Sequence, residues 1–244
     1  MRKILLLSLI VLVVAFYSGL SNLGVAIAQK DDIVFKTFVH DPRAPGKPVP
    51  VSNCTVTTND QVSDFGLAGW YMPSAGMDYQ INFGTKPKNL SESQVSAAIQ
   101  SSFNTWTAAD PKQKFNYAGT TTTKAAKFDG TNAILWKGIT RGALAITYAW
   151  YYTTTGELVE ADTVFNRNYK WDLTDISAGD CGGTTGDYDV QNIATHEFGH
   201  WVGLDDLYSS ADKDLTMYGY GETKELKKDS LGLGDISGVN AIAP

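Results

Sequence analysis

The chain predicts an α+β domain, and three features carry that expectation: one early amphipathic helix, a run of strand-like segments, and a late helix. Ser91 and Gln94 make a capping box, after which Val95, Ile99, Ser102, Phe103 and Trp106 fall on one helical face. Tyr79-Gln80-Ile81-Asn82-Phe83 alternates apolar and polar residues, as a half-buried strand does. Further strands are expected at 114–117, 133–136, 144–152 and 158–165. The aromatic run Tyr148, Trp150, Tyr151 and Tyr152 reads as strand residues alternating between core and surface. A second helix is expected to start between Asp187 and Val190, with an acidic N-cap, and to run to Leu204.

Upstream of these elements the organisation changes. Arg2 and Lys3 precede an apolar run from Ile4 to Tyr17, and Ala26-Ile27-Ala28 supplies an A-x-A cleavage site. Residues 1–28 therefore read as an export signal, with the mature chain starting at Gln29. The alternative, an uncleaved membrane anchor, is weakened by Ser18, Gly19, Ser21, Asn22 and Gly24 within the apolar stretch. Residues 29–75 read as an N-terminal extension. Ile33 to Val39 suits one strand, and Pro42, Pro45, Pro48 and Pro50 break regular structure after it. The remaining domain is expected over 76–244. The net charge of −6 becomes −8 without the two basic residues of the signal. That excludes nucleic acid as an expected partner, because phosphate binding needs a basic surface.

The late helix carries the chemistry. His196-Glu197-Phe198-Gly199-His200-Trp201-Val202-Gly203-Leu204-Asp205-Asp206 places two histidines four residues apart, on one face of a helix. Both imidazoles can then address one metal ion, and Glu197 can reach a water beside it. Gly203 suits the left-handed backbone that ends a helix. The chain can fold back to offer a third ligand at Asp206, with Asp205 as the alternative in register. The sequence has three histidines. A three-histidine site would need His40, far upstream, so the carboxylate is the more economical third ligand. Two His and one Asp with an open fourth position is a catalytic zinc pattern.

This segment resembles the metzincin zinc-peptidase signature, with Asp in place of the final His as in the snapalysin-type variant. The rest of the chain is similar to the matrixin branch. Leu215-Thr216-Met217-Tyr218-Gly219-Tyr220 resembles the Met-turn, and Leu233 to Ile242 resembles the final helix. Glu160 to Asn166 resembles the edge strand bordering the substrate cleft, and Ala97 to Trp106 the first helix. The resemblance implies a zincin catalytic domain: a twisted, mostly parallel sheet with one antiparallel edge strand, above a helix bearing the ligands. It also implies a secreted, monomeric zinc endopeptidase acting on protein or peptide substrates. Glu197 would be the general base, and His196, His200 and Asp206 the zinc ligands. Met217 would be a packing floor, and Tyr218 or Tyr220 would line the cleft or steady an oxyanion. Residues 158–166 would pair with an extended substrate. The His-rich structural zinc site of many matrixins cannot be present in its usual form.

Three further expectations follow from composition. Cys54 and Cys181 are the only cysteines and suit a disulfide in an exported protein. A thiolate cap on zinc by Cys54 is the alternative, but Ser52-Asn53-Cys54-Thr55-Val56 lacks the matrixin Pro-Arg-Cys-Gly pattern. Asp172, Asp175, Asp180, Asp187 and Asp189 offer oxygen ligands suited to Ca2+, without EF-hand spacing. The rival functional classes are a latent or inactive zinc-binding recognition domain and a structural domain with an accidental motif.

Overall fold

The computed structural model describes residues 32–43, 62–140, 142–174 and 186–243. Among these residues, nine strands and three α-helices follow in the order β1 (Ile33–Pro42), β2 (Met77–Ile81), α1 (Glu92–Ala109), β3 (Phe115–Thr120), β4 (Asn132–Lys137), β5 (Ala145–Tyr152), β6 (Leu158–Asn166), β7 (Trp171–Asp172), β8 (Tyr188–Asp189), α2 (Val190–Val202), β9 (Tyr220–Gly221) and α3 (Leu233–Ala241). The expected helices and strands are all present. Seven strands form one sheet in the order β3-β2-β4-β6-β5-β1-β9. β3, β2, β4 and β6 run parallel, and β5 runs against them. β5 is the antiparallel strand of the expected sheet, and β1 and β9 continue the sheet beyond it.

Helix α1 begins as its sequence requires. The Ser91 side chain accepts from Gln94 N–H, and the Gln94 side chain accepts from Ser91 N–H, closing the capping box. The buried face of α1 packs on α2: Phe103 stacks on Phe198 with ring centroids 3.7 Å apart, and Trp106 Nε1 donates to Thr195 O at 2.8 Å. Helix α2 is buried along nearly its whole length. Asp189 caps its N-terminus by accepting from Asn192 N–H at 3.0 Å. Gly203 ends it at φ +112°, and a Cβ there would collide with Trp70 O, so both backbone angle and space demand glycine.

The inward residues of β5 are small: Ala145, Thr147 and Ala149 are fully buried. That lets α2 approach the sheet, and the aromatics Tyr148 and Trp150 take the opposite, partly exposed face. The expected alternation holds, but the aromatics lie outside and the core side is small. Residues 29–75 read as an N-terminal extension with one strand, and β1 covers that strand. In their described part Phe38, Trp70 and Met72 belong to the main core cluster. Residues 66–68 pair with the chain after α2, through Ala68 N–H to Gly203 O and Asp205 N–H to Gly66 O. The export signal, Cys54 and Cys181 lie outside the described residues.

One carboxylate holds the turn beneath α2. Asp235, in the first turn of α3 and 1% exposed, accepts from Thr216 N–H (2.8 Å), Met217 N–H (3.0 Å) and Gly232 N–H (2.8 Å). Three charge-assisted bonds in a buried place make this clamp expensive to break. Asp235→Ala is predicted to destabilise the fold by about 3–5 kcal/mol in urea unfolding, with Asp235→Asn losing less. A loss under about 1 kcal/mol for the alanine variant would show that the turn does not depend on it.

Candidate metal centre

The one-turn spacing of His196 and His200 brings both rings to the same side of α2, edge to face with centroids 5.0 Å apart. Each ring is oriented through Nδ1. His196 Nδ1 lies 2.7 Å from Thr216 O, and His200 Nδ1 lies 2.9 Å from Leu204 O. A carbonyl can only accept, so both Nδ1 atoms carry the proton and both Nε2 atoms present a lone pair. Asp206 Oδ1 stands 3.2 Å from His196 Nε2 and 3.6 Å from His200 Nε2. These three atoms are buried and have no hydrogen-bond partner. Buried polar atoms without partners are costly, and three of them converging on one point suit a cation. His196, His200 and Asp206 do form one grouping able to hold a metal ion. Asp205 turns the other way and pairs with Lys36 Nζ at 2.8 Å.

The electrostatics agree with that chemistry. Burial lowers the His196 and His200 pKa values, His200 to about 4, so both rings are neutral near pH 7. Burial raises the Asp206 carboxyl, but the neighbouring His200 and His196 rings bring it down to about 2. Neutral imidazoles and a carboxylate are the protonation states that metal ligation requires. Glu197 is fully buried; its Oε2 accepts from Thr147 Oγ1 at 2.6 Å, and its Oε1 has no hydrogen-bond partner. Burial pushes its carboxyl up to about 8. A cation beside it would act in the opposite direction.

Met217 lies directly under α2. A Cβ on Gly199, between the two histidines, would land on the Met217 sulfur and within 2.8 Å of Trp106 Cζ2. Gly199 is therefore a packing requirement, with the Met217 sulfur set against it. Tyr218 and Tyr220 pack edge to face at 5.5 Å, beside Tyr208. The tyrosine that touches the ligand group is Tyr208, whose hydroxyl donates to Asp206 Oδ2 at 3.2 Å.

Two expectations need correction. Residues 158–166 form β6, which is paired with β4 on one side and β5 on the other. It has no free edge for a substrate, and neither has β5, which β6 and β1 flank. His40 was set aside as remote, yet β1 carries it to the site, fully buried, with its ring 3.8 Å from that of His196 and its Nδ1 3.3 Å from Glu197 Oε1. The convergence of the chain's three histidines was the signal available in composition. Lys228 was also missed. It is fully buried, donates to Tyr218 O (2.6 Å) and Tyr220 O (3.0 Å), and stands 3.2 Å from His40 Nε2. Nothing in a Lys-Lys-Asp run signals burial. Of the acidic loop, Asp175 and Asp180 lie outside the described residues, and Asp189 is engaged by Asn192 N–H and Thr174 N–H. No calcium grouping occurs among the described residues.

No curated protein matches the chain. The matrixin family model matches residues 70–243, from Trp70, ahead of β2, through α3, and so spans most of the chain. With the sheet, the His-Glu-x-x-His helix and the turn at Met217 in the family's order, the chain belongs to the matrixin family, whose members are zinc metallopeptidases acting on proteins or peptides.

Proposed function

We propose that this chain is a secreted zinc-dependent endopeptidase of the snapalysin-type variant, with His196, His200 and Asp206 as ligands and Glu197 as general base. The observation that supports it best is the meeting of partnerless His196 Nε2, His200 Nε2 and Asp206 Oδ1 beside the partnerless Oε1 of Glu197. When bound, zinc supplies Lewis-acid polarisation of the scissile carbonyl and acidifies water.

The chain's own residues do the rest. Thr147 holds Glu197 Oε2, which leaves Oε1 to take a proton from the attacking water and deliver it to the leaving amine nitrogen. The backbone carbonyls of Thr216 and Leu204 fix the two imidazole tautomers. Tyr208 fixes Asp206 Oδ2 and leaves Oδ1 for the cation. The carboxylate adds negative charge to the ligand set, which makes the ion a weaker Lewis acid than one on three neutral imidazoles. A zinc-binding recognition domain has no use for an intact base at Glu197, so catalysis is the favoured reading.

Two experiments test it. Glu197→Gln should keep its zinc and lose casein cleavage by about 10²-fold or more. Unchanged turnover would remove Glu197 as the base. Asp206→Ala should lose zinc on dialysis against a chelator, whereas Asp205→Ala, which removes a partly exposed ion pair with Lys36 and the bond that Asp205 Oδ1 accepts from Asp206 N–H, should keep it. The reverse pattern would move the ligand to Asp205.

A further inference from the structure

A cavity of about 660 Å³ opens between the loop that joins β2 to α1 and the turn that follows β6. Both segments bring cations to it. Lys86 and Lys88 come from the first, Arg167 and Lys170 from the second, and Asp187 is the one acidic residue on the lining. The whole chain has 26 acidic residues against 20 basic ones, so four cations around one cavity reverse its charge locally.

The walls of the cavity are held by hydrogen bonds. Asn89 Nδ2 donates to Trp171 O at 2.8 Å and ties the two segments together. Trp171 Nε1 donates to Asn166 O at 2.9 Å, and the Tyr169 hydroxyl donates to Gly142 O, which pins the turn. Lys86 is occupied by its own loop, donating to Leu90 O and Pro87 O. The other three cations are exposed. Among the described residues the lysine and arginine ion pairs are those of Lys36, Arg43, Lys127 and Lys227, so Lys88, Arg167 and Lys170 have no carboxylate. Like charges gathered in a concave place repel one another and raise the local potential, and an anionic ligand relieves both. Three flexible side chains on two segments suit a chain bearing several carboxylates. A single small anion needs fixed donors converging on one point.

The cavity lies within reach of the metal centre. Thr163 of β6 meets the Thr147 hydroxyl at 2.8 Å, and Thr147 holds Glu197. Arg167 follows Thr163 by four residues, about 13 Å at the rise of a strand. An extended polypeptide covers that distance in about four residues. We propose that this cavity is an exosite for acidic substrate proteins: carboxylates in one part of a bound polypeptide dock on Lys88, Arg167 and Lys170 while another part is presented to Glu197. The inference rests on the peptidase reading of the metal centre and names its substrate class. Docking away from the reacting bond raises the local concentration of the scissile segment, so its effect falls on KM rather than on kcat.

The test compares the zinc-loaded full chain with Lys88→Ala/Arg167→Ala/Lys170→Ala, three exposed positions outside the ligand group. The substrate is dephosphorylated casein, used as it is and with its carboxyls converted to neutral amides. The variant should show a KM about tenfold higher on the unmodified casein with kcat unchanged, and the two proteins should share one KM on the amidated form. An equal KM on unmodified casein would overturn the inference, as would a rise of the same size on the amidated form. Calorimetry with poly-L-glutamate measures the docking step without turnover. Binding to the unaltered chain that is lost in the triple variant would keep the docking site even if neither protein cleaved casein, a result that would remove the peptidase reading alone. Poly-L-glutamate that fails to bind the unaltered chain, or binds the variant equally well, would overturn the exosite and leave the peptidase reading standing.

Discussion

The two hydrogen bonds from imidazole Nδ1 to backbone carbonyls are the constraint on which the rest of the centre depends. They decide the tautomer, and the tautomer decides whether Nε2 is a ligand or a donor. The carbonyls come from two different loops: Leu204 O follows directly from the end of α2, and Thr216 O belongs to the turn at Met217. Each loop must be held to within a few tenths of an ångström for its ring to aim correctly. The structure shows how each is held.

At the first loop the cause is a glycine. Gly203 takes a left-handed conformation and lies so close to Trp70 O that a side chain would not fit. The chain therefore reverses within one residue, Leu204 O comes back over His200, and Asp206 arrives at the same point from the other side. At the second loop the cause is a buried carboxylate. Asp235 gathers the N–H groups of Thr216, Met217 and Gly232, which presents Thr216 O to His196 and sets Met217 against Gly199. Ligand geometry, the floor of the site and the start of α3 thus depend on one acidic side chain.

Most of this centre was legible in the sequence because it is encoded locally. A four-residue spacing on a helix, a helix-ending glycine and an Asp three residues later are all short-range patterns, and each fell where expected. The helices and core strands were legible for the same reason: period and capping are properties of a window. The edge strand was misassigned because strand order is set by long-range pairing, which alone reveals that β6 is flanked by β4 and β5. Lys228 and His40 were illegible for a related reason. His40 is buried against α2, far along the chain, and Lys228 lies against His40 and the carbonyls of Tyr218 and Tyr220, and no local pattern records such contacts.

Residues 33–42 show how far a strand's surroundings escape its own sequence. Ile33 to Val39 reads as a strand, but Ile-Val-Phe-Lys-Thr-Phe-Val has no strict alternation to say which side is buried. In the fold Ile33, Phe35 and Val39 are exposed, Phe38 packs on Trp70 and His200, and His40 lies against His196 and Glu197. The ligand helix is enclosed by partners of the same distant kind. Met217 packs against Gly199, and Ala145, Thr147 and Ala149 of β5 are small enough to let α2 close onto the sheet. The imidazoles are therefore buried by long-range pairing as well as by their own helix, and no window around the motif records it.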